Sequence, residues 1–446
     1  MKKIACLALI LALTLSFNNF AFAVGSGGFE NASFTPRSIA ESNAVVAQAD
    51  EPGAISYNPA GITQLKGLQI QPSVTLISIF TRHSNNNDTD YSAGKVIPIP
   101  TAYMTVNPGF LNDRLVLGVG SDSPFGLANQ YSSTAPNAHY PGSTNSLKMY
   151  TIKPVASFKI NEKISIGGGP VYYRVFDFGG VLAYPNKALG GPFSDGLLRA
   201  NLQGNTWGWQ MGVLAKPTPK HQFGFYFRSP VTVRTHGLIK VENATVGGNF
   251  ETGGNAKLDL PLNFTWAYAY KPNEKTTVET DLGFTRWSAH KRLFINADPV
   301  NSSDDALLAA VGKSDKNYKD VFSLHLGGNR KVTKKLTLRG GGLFYWSPVT
   351  EAHFTPAVPD SNSLAISAGA SYDLGKYLTF DVAYFSRFWL RRHIDNDISE
   401  SIGGSVDGSY FSYGQEIFVG LTYKWESFLS GTKKDKEVNA PIYVKN

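Results

Sequence analysis

Lys257-Leu258-Asp259-Leu260-Pro261-Leu262-Asn263-Phe264-Thr265-Trp266-Ala267-Tyr268-Ala269-Tyr270-Lys271 is the stretch on which the fold turns. Leu258, Leu260, Leu262, Phe264, Trp266, Tyr268 and Tyr270 fall at every second position, with Lys257, Asp259, Asn263 and Thr265 between them. A period of two is the signature of a strand, whose side chains alternate between faces. A strand apolar on its outer face and polar on its inner one suits a barrel standing in lipid. A soluble half-buried strand alternates in the same way, but rarely for this length.

Outward from this stretch, the same period runs from Gly67 to Trp425. Apolar faces recur at Leu68/Ile70/Val74/Leu76/Phe80, Ile97/Ile99/Tyr103, Phe223/Phe225/Phe227/Val231/Val233 and Ile417/Val419/Leu421/Tyr423/Trp425, among others. The count is about 14, and an even number suits a single-chain bacterial barrel with both ends periplasmic. Short links at 107–113, 161–163, 217–220, 272–275, 331–334 and 375 alternate with long ones near 81–95, 123–146, 179–204, 234–256, 287–318, 347–363 and 391–412. Short turns belong to the periplasmic rim and long loops to the outer one. A β-solenoid or tandem sandwiches do not predict that alternation. Trp287, Trp346, Trp389 and Trp425 lie at strand ends, where interfacial aromatic girdles are expected. The expected fold is all-β: a 14-stranded antiparallel transmembrane β-barrel over residues 67–425.

Composition agrees. Aromatics make up 13% of the 446 residues, glycines number 44, and only 17% of residues are charged. The net charge of +8 is spread along the chain and forms no stripe for nucleic acid. Met1-Lys2-Lys3, the apolar run Ile4 to Phe17 and Ala21-Phe22-Ala23 read as a signal peptide over 1–23, with the mature chain starting at Val24. The one cysteine, Cys6, leaves with it, so no disulfide or thiol chemistry is expected. The bacterial outer membrane is the expected address.

Residues 24–66 lack alternation yet carry Phe29, Phe34, Ile39, Val45, Val46, Ile55 and Tyr57, enough to pack inside something larger. Within them, Asn58-Pro59-Ala60-Gly61 is turn chemistry. Pro59 fixes its own φ and moves Asn58 out of the helical region, and Gly61 permits positive φ. Residues 426–446 follow the last strand as a periplasmic tail that includes Lys433-Lys434-Asp435-Lys436-Glu437.

An enzyme is not expected. There is no Gly-x-Ser-x-Gly elbow and no His-Glu-x-x-His, and the eight histidines are scattered without metal-ligand spacing. Gly167-Gly168-Gly169 and Gly340-Gly341-Gly342 lie in strands and make poor phosphate loops. No cofactor or metal follows from the residues.

Taken in order, Gly28-Phe29 with Phe34, Asn58-Pro59-Ala60-Gly61, Ser123-Pro124-Phe125-Gly126-Leu127, Arg228-Ser229-Pro230-Val231, Thr285-Arg286-Trp287-Ser288, Tyr318-Lys319-Asp320 and Trp346-Ser347-Pro348-Val349 with Pro359-Asp360 resemble the FadL/TodX family of outer-membrane channels for long-chain fatty acids and other hydrophobic compounds. The resemblance covers nearly the whole mature chain.

It implies a monomeric barrel closed by an N-terminal hatch, here 24–66. Ligand would bind first in an apolar groove between the outer loops 179–204 and 234–256, with Leu197, Leu198, Leu238 and Ile239 as its candidate residues. A tighter lumen site beside the hatch N-terminus follows, then sideways release at a kink in the third strand. Phe29 matches the family's ligand-contacting aromatic or merely packs the plug. Ser123 matches the kink, and Arg174 and Lys319 match the head-group cations. By parity with Ile164 and Ile166, Arg174 faces lipid unless Gly167–Pro170 shifts the register. Arg339, Asp381, Arg387, His325 and Glu279 read as general lumen polarity. The expected partners are hydrophobic small molecules, outer-membrane lipid and lipopolysaccharide. Uptake of aromatic hydrocarbons and a loop-based receptor or adhesin without flux are the alternative functions.

Overall fold

The computed structural model describes residues 28–85, 88–92, 94–131, 144–184, 196–244, 248–300, 312–396 and 406–426. The expected signal peptide over 1–23 and nearly all of the expected tail over 426–446 lie outside them. Among the described residues, fourteen antiparallel strands close into a barrel. They are β1 Leu68–Ser84, β2 Ile97–Val106, β3 Leu115–Asp122 resuming at Leu127–Gln130, β4 Thr144–Lys159, β5 Ile164–Tyr184 and β6 Gly196–Ala215. β7 runs His221–Arg228 and Val231–Ala244, β8 runs Gly248–Leu260 and Asn263–Asn273, and β9 runs Thr276–Thr285 with an outer continuation Arg292–Ala297. β10 Val321–Lys331, β11 Leu336–Tyr345, β12 Ser363–Asp373, β13 Leu378–Ile394 and β14 Gly408–Trp425 complete the wall. β14 pairs with β1 from Leu68↔Trp425 to Ser84↔Ser409, which closes the ring. Closure leaves no open sheet edge for lipid to meet except where β3 parts from β2.

The outward face is apolar at mid-height. Leu76, Ile166, Met211, Leu324, Ile366 and Ile417 are all exposed there. β5 has 21 residues and β6 has 20, whereas roughly 9–11 suffice to cross a bilayer. The excess stands beyond the outer rim. The stretches 179–204 and 234–256, expected as loops, are therefore strand for most of their described length.

Three expectations about facing are corrected. The opening stretch does not keep one apolar face. Leu258 and Leu260 are buried in the lumen, while Trp266 and Tyr270 point outward. β7 and β8 break side by side, at Ser229-Pro230 and Pro261-Leu262, and both change face there. Proline donates nothing to a ladder, and two prolines in adjacent strands let the pair kink together. In β2, Ile97, Ile99 and Tyr103 point inward, leaving Pro98, Pro100 and Met104 outside. The tryptophans divide as well: Trp346 is exposed, but Trp287 and Trp389 are buried inside the barrel.

Residues 28–66 fill the lumen. Their one α-helix among the described residues, α1 Pro36–Ala40, is capped by Thr35, whose hydroxyl and the Ser38 hydroxyl bond each other's backbone N–H. Two 3-10 turns, Pro52–Ser56 and Pro59–Gln64, each begin with proline, whose fixed φ suits a first helical position. Gly61 does not adopt positive φ. It is needed for close approach, since a Cβ there would lie 2.3 Å from Ala49.

Candidate functional site

The hatch is held by the inward polar residues of the lower wall. Val45 and Val46 donate their N–H groups to Asp281 Oδ2 at 3.1 and 3.2 Å, and Ala47 and Gln48 donate theirs to the two Glu279 oxygens at 2.6 and 3.0 Å. Four successive amides thus sit on two carboxylates of β9. Arg37 Nε pairs with Asp381 at 3.1 Å, Arg339 pairs with the buried Glu41, and His325 Nδ1 lies 2.7 Å from the Ser42 carbonyl. Burial pushes the Glu41 carboxyl up, opposed by Arg339 and by hydrogen bonds from Gln48 and Asn329. Four of the five residues read as general lumen polarity are therefore hatch anchors.

Asn58, Pro59, Ala60 and Gly61 join the hatch to the opposite wall. Asn58 Nδ2 donates to the Val46 carbonyl at 2.7 Å and the Val213 carbonyl at 3.1 Å. Ser157 Oγ donates to the Pro59 carbonyl at 2.6 Å. Ala60 and Gly61 are fully buried, and a Cβ on Gly167 of β5 would lie 2.8 Å from the Ala60 nitrogen. Small residues on both sides let the backbones touch.

The third strand is broken where the sequence places the kink. β2 and β3 pair only from Val106↔Leu117 to Ala102↔Ser121. Past Ser123-Pro124 the chain resumes as Leu127–Gln130 on β4 alone. Ile97–Thr101 of β2 keep β1 on one side and face an opening on the other. An isolated bridge, Ser92↔Tyr131, spans that opening higher up.

The hatch N-terminus lies against the break. Glu30 bridges Phe125, Asn31 N donates to the Pro124 carbonyl at 2.8 Å, Gly126 N donates to the Phe29 carbonyl at 2.9 Å, and Asn31 Nδ2 donates to the Ser123 carbonyl at 2.8 Å. Ser123 Oγ donates to the Met149 carbonyl at 2.6 Å. Just before the break, buried Asp122 accepts from Lys153 Nζ and from the hatch hydroxyl Ser56 Oγ, each at 2.5 Å. The hatch touches the kink from two directions.

Above the hatch the lumen turns apolar. Phe29 is buried with its ring centroid 4.7 Å from Trp287, 5.3 Å from His290 and 6.0 Å from Phe125. Leu147, Met149, Val175, Leu202, Val233 and Leu258 continue the lining. Burial and the neighbouring Lys316 push His290 down to about 3, so it is neutral. Burial pushes Lys316 down to about 8. Arg387, also buried, bonds the Ser363 hydroxyl at 2.8–2.9 Å and lies over the Tyr345 and Trp389 rings. No carboxylate of the described residues is within ion-pair distance of it. Arg228, by contrast, is paired with Glu30 at 2.7 Å. Both arginines line a cavity of about 90 Å³ beside the hatch.

The remaining sequence candidates do not converge. Arg174 keeps the outward parity of Ile166 and donates to Gln203 Oε1 at 2.8 Å. Lys319 is exposed. Leu198 and Ile239 pack together inside the outer wall with Val241, whereas Leu238 faces out and Leu197 is half-buried on the opposite face from Leu198. Sequence reasoning passed over Lys316 and Arg387 as binding groups. Parity places Arg387 on an inward face, but only the fold reveals that the carboxylates around it, Asp360, Glu416 and Glu30, stay beyond ion-pair distance.

A barrel with an apolar outer band, an internal hatch and a broken strand is the architecture of an outer-membrane transport channel. The family model described as outer membrane protein transport protein (OMPP1/FadL/TodX) matches residues 19–425, and the chain belongs to that family. It is an outer-membrane protein. It is 26% identical over 369 residues to the long-chain fatty acid transport protein of Salmonella typhi, covering 75% of this chain and 81% of that one. It is 24% identical over 397 residues to the 47 kDa outer membrane protein of Pasteurella multocida, covering 82% and 89%. Among solved structures, a Pseudomonas aeruginosa FadL homologue superposes with a TM-score of 0.75 at 18% identity, covering 91% of this chain and 99% of that chain. The Pseudomonas putida toluene transporter TodX gives 0.67 at 15% identity, covering 92% and 100%. At such identities these two likenesses concern the fold.

Proposed function

We propose that this protein imports long-chain fatty acids passively across the outer membrane, through the lumen and out sideways at the break in β3. The observation that carries this reading is the apolar upper lumen ending at a hatch whose N-terminal residues occupy the break. A long acyl chain gains about 0.8 kcal/mol per buried CH₂, so such a lining captures it without an energy source. Its carboxylate requires a cation as it leaves water, and Arg387 and Lys316 offer one. The cavity beside the hatch, at about 90 Å³, is smaller than the roughly 300–1,000 Å³ of small-molecule sites. The hatch therefore has to shift for a chain to pass, and ligand drives that shift only by binding the shifted state better. The long-chain fatty acid transport protein of Salmonella typhi is named for the same cargo.

Oleate binding to the purified protein tests the reading, with wild type compared against a variant lacking residues 24–34. Binding that needs this segment supports it. Equal binding by both proteins would remove the hatch from the site. The ring box of Phe29, Phe125, Trp287 and His290 favours a second cargo, small aromatic hydrocarbons, and displacement of oleate by toluene would favour that one.

A further inference from the structure

A second and larger cavity, about 1010 Å³, lies on the outer face of the wall, away from the hatch. It extends over β4–β7 to the free side of β2, at the opening beside β3. Lys95, Lys148, Arg174, Arg199 and Lys240 line it, and Asp177 is its one lining carboxylate. Asp177 is engaged by Lys148 at 2.6 Å, and Glu242 and Glu251 at the margin take Arg199 and Lys240 at 2.9 and 3.0 Å. Arg174 and Lys95 bond only the neutral amides of Gln203 and Gln130.

Height decides what such a surface meets. Outward aromatics interleave with its lower edge: Tyr150 pairs directly with Arg174, Phe176 near Tyr150 stands two residues further out than Arg174, and Tyr172 near Trp207 lies two residues below it, so the lower cations sit at the level where hydrocarbon gives way to head groups. Lys148 and Arg174 lie two residues above Tyr150 and Tyr172, about 7 Å higher at the usual rise of a strand. Apolar Val96, Pro98, Val181 and Leu238 share the lining. A cationic shelf level with an aromatic belt, with greasy walls beside it, matches a lipid that carries several negative charges over its acyl chains.

We propose that this outer-wall cavity binds the bisphosphorylated glycolipid of the outer leaflet, lipid A, with Arg174, Arg199 and Lys240 on its phosphates. The five cations exceed the three carboxylates that engage them by two positive charges, and a fatty acid, with one charge, answers only one of these. Two phosphates answer them, and guanidinium pairs with phosphate bidentately. The lipid so held lies beside the opening between β2 and β3.

Native mass spectrometry of the full chain, freed of co-purifying lipid, tests this with four probes: bisphosphorylated lipid A, monophosphoryl lipid A, oleate and inorganic phosphate. The comparison is wild type against Arg174→Ala/Arg199→Ala/Lys240→Ala, with Lys257→Ala/Arg292→Ala, outward cations on other strands, as the control. The expected result is that bisphosphorylated lipid A binds wild type at least about tenfold tighter than the monophosphoryl form. The triple variant loses that preference, and the control keeps it. Equal binding of the two lipids, an unaffected triple variant, or tight binding of inorganic phosphate alone would overturn the proposal. Oleate binding abolished by the triple substitution would overturn it too, assigning the cavity to the cargo. If the triple variant fails to show heat-modifiable migration, the single substitution Arg174→Gln carries the same comparison.

Discussion

Phe29 and Lys316 concentrate the chemistry of the lumen into two side chains. Replacing Phe29 by Ala removes a buried ring whose burial is worth about 1.5–3 kcal/mol. Part of that ring's surface would face ligand, so oleate affinity should fall about tenfold. Fluorescence titration reads it, and unchanged affinity would make Phe29 a packing residue only. Lys316 gives a pH signature. Burial holds its ammonium at about 8, below the free value near 10.4. A carboxylate ligand pairs with the charged form, so capture should be strongest below pH 8 and weaken as pH rises through it. Lys316→Met should flatten that difference. Identical pH profiles for the two proteins would exclude Lys316 and leave Arg387 as the lumen cation.

At the scale of elements, the clamp between β9 and the hatch is the joint to loosen. Buried hydrogen bonds contribute about 0.5–1.5 kcal/mol each, so Glu279→Gln with Asp281→Asn, which replaces four acceptor sites by donors and amide oxygens, should loosen residues 45–48 locally. Hydrogen exchange would show these amides losing protection while β9 and β10 keep theirs. Full protection in the variant would mean that packing, not the carboxylates, holds the hatch. The outer extensions of β5–β8 give a second test, because they split four candidate residues into two pairs. Leu198→Ser/Ile239→Ser opens a buried cluster, and Leu197→Ser/Leu238→Ser alters a surface. An initial capture groove inside the rim would be weakened by the first pair alone. Loss with the second pair would put capture on the outer face instead.

For the whole molecule, flux depends on whether hatch and wall separate at the break. Glu30→Cys with Phe125→Cys, directly paired where these segments meet, should arrest fatty acid uptake when oxidised and restore it when reduced. Growth on oleate as sole carbon source reads both states. Growth unaffected by oxidation would sink sideways release at this point. The alternative functions differ here as well, since a receptor or adhesin without flux would be indifferent to the lock.

Much of this was legible in the chain. Alternation every second residue is a local property, and it specified strands, their approximate number and the rim on which the short turns lie. Asn58-Pro59-Ala60-Gly61 and Ser123-Pro124 marked the hatch turn and the kink because proline acts through its own φ and its missing N–H wherever it stands. Facing was another matter. The alternation runs through Pro230 and Pro261 without a break in the sequence, and only their alignment in adjacent strands turned Leu258 and Leu260 inward and made the upper lumen apolar. Partnership was likewise beyond reach of the sequence. Arg339 and Arg387 are both inward arginines, and one pairs with Glu41 of the hatch while the other bonds Ser363 and lies over two rings, with Asp360, Glu416 and Glu30 beyond ion-pair distance. Local residues determine what a strand is, and the closed barrel alone determines which charges come within pairing distance of an opposite.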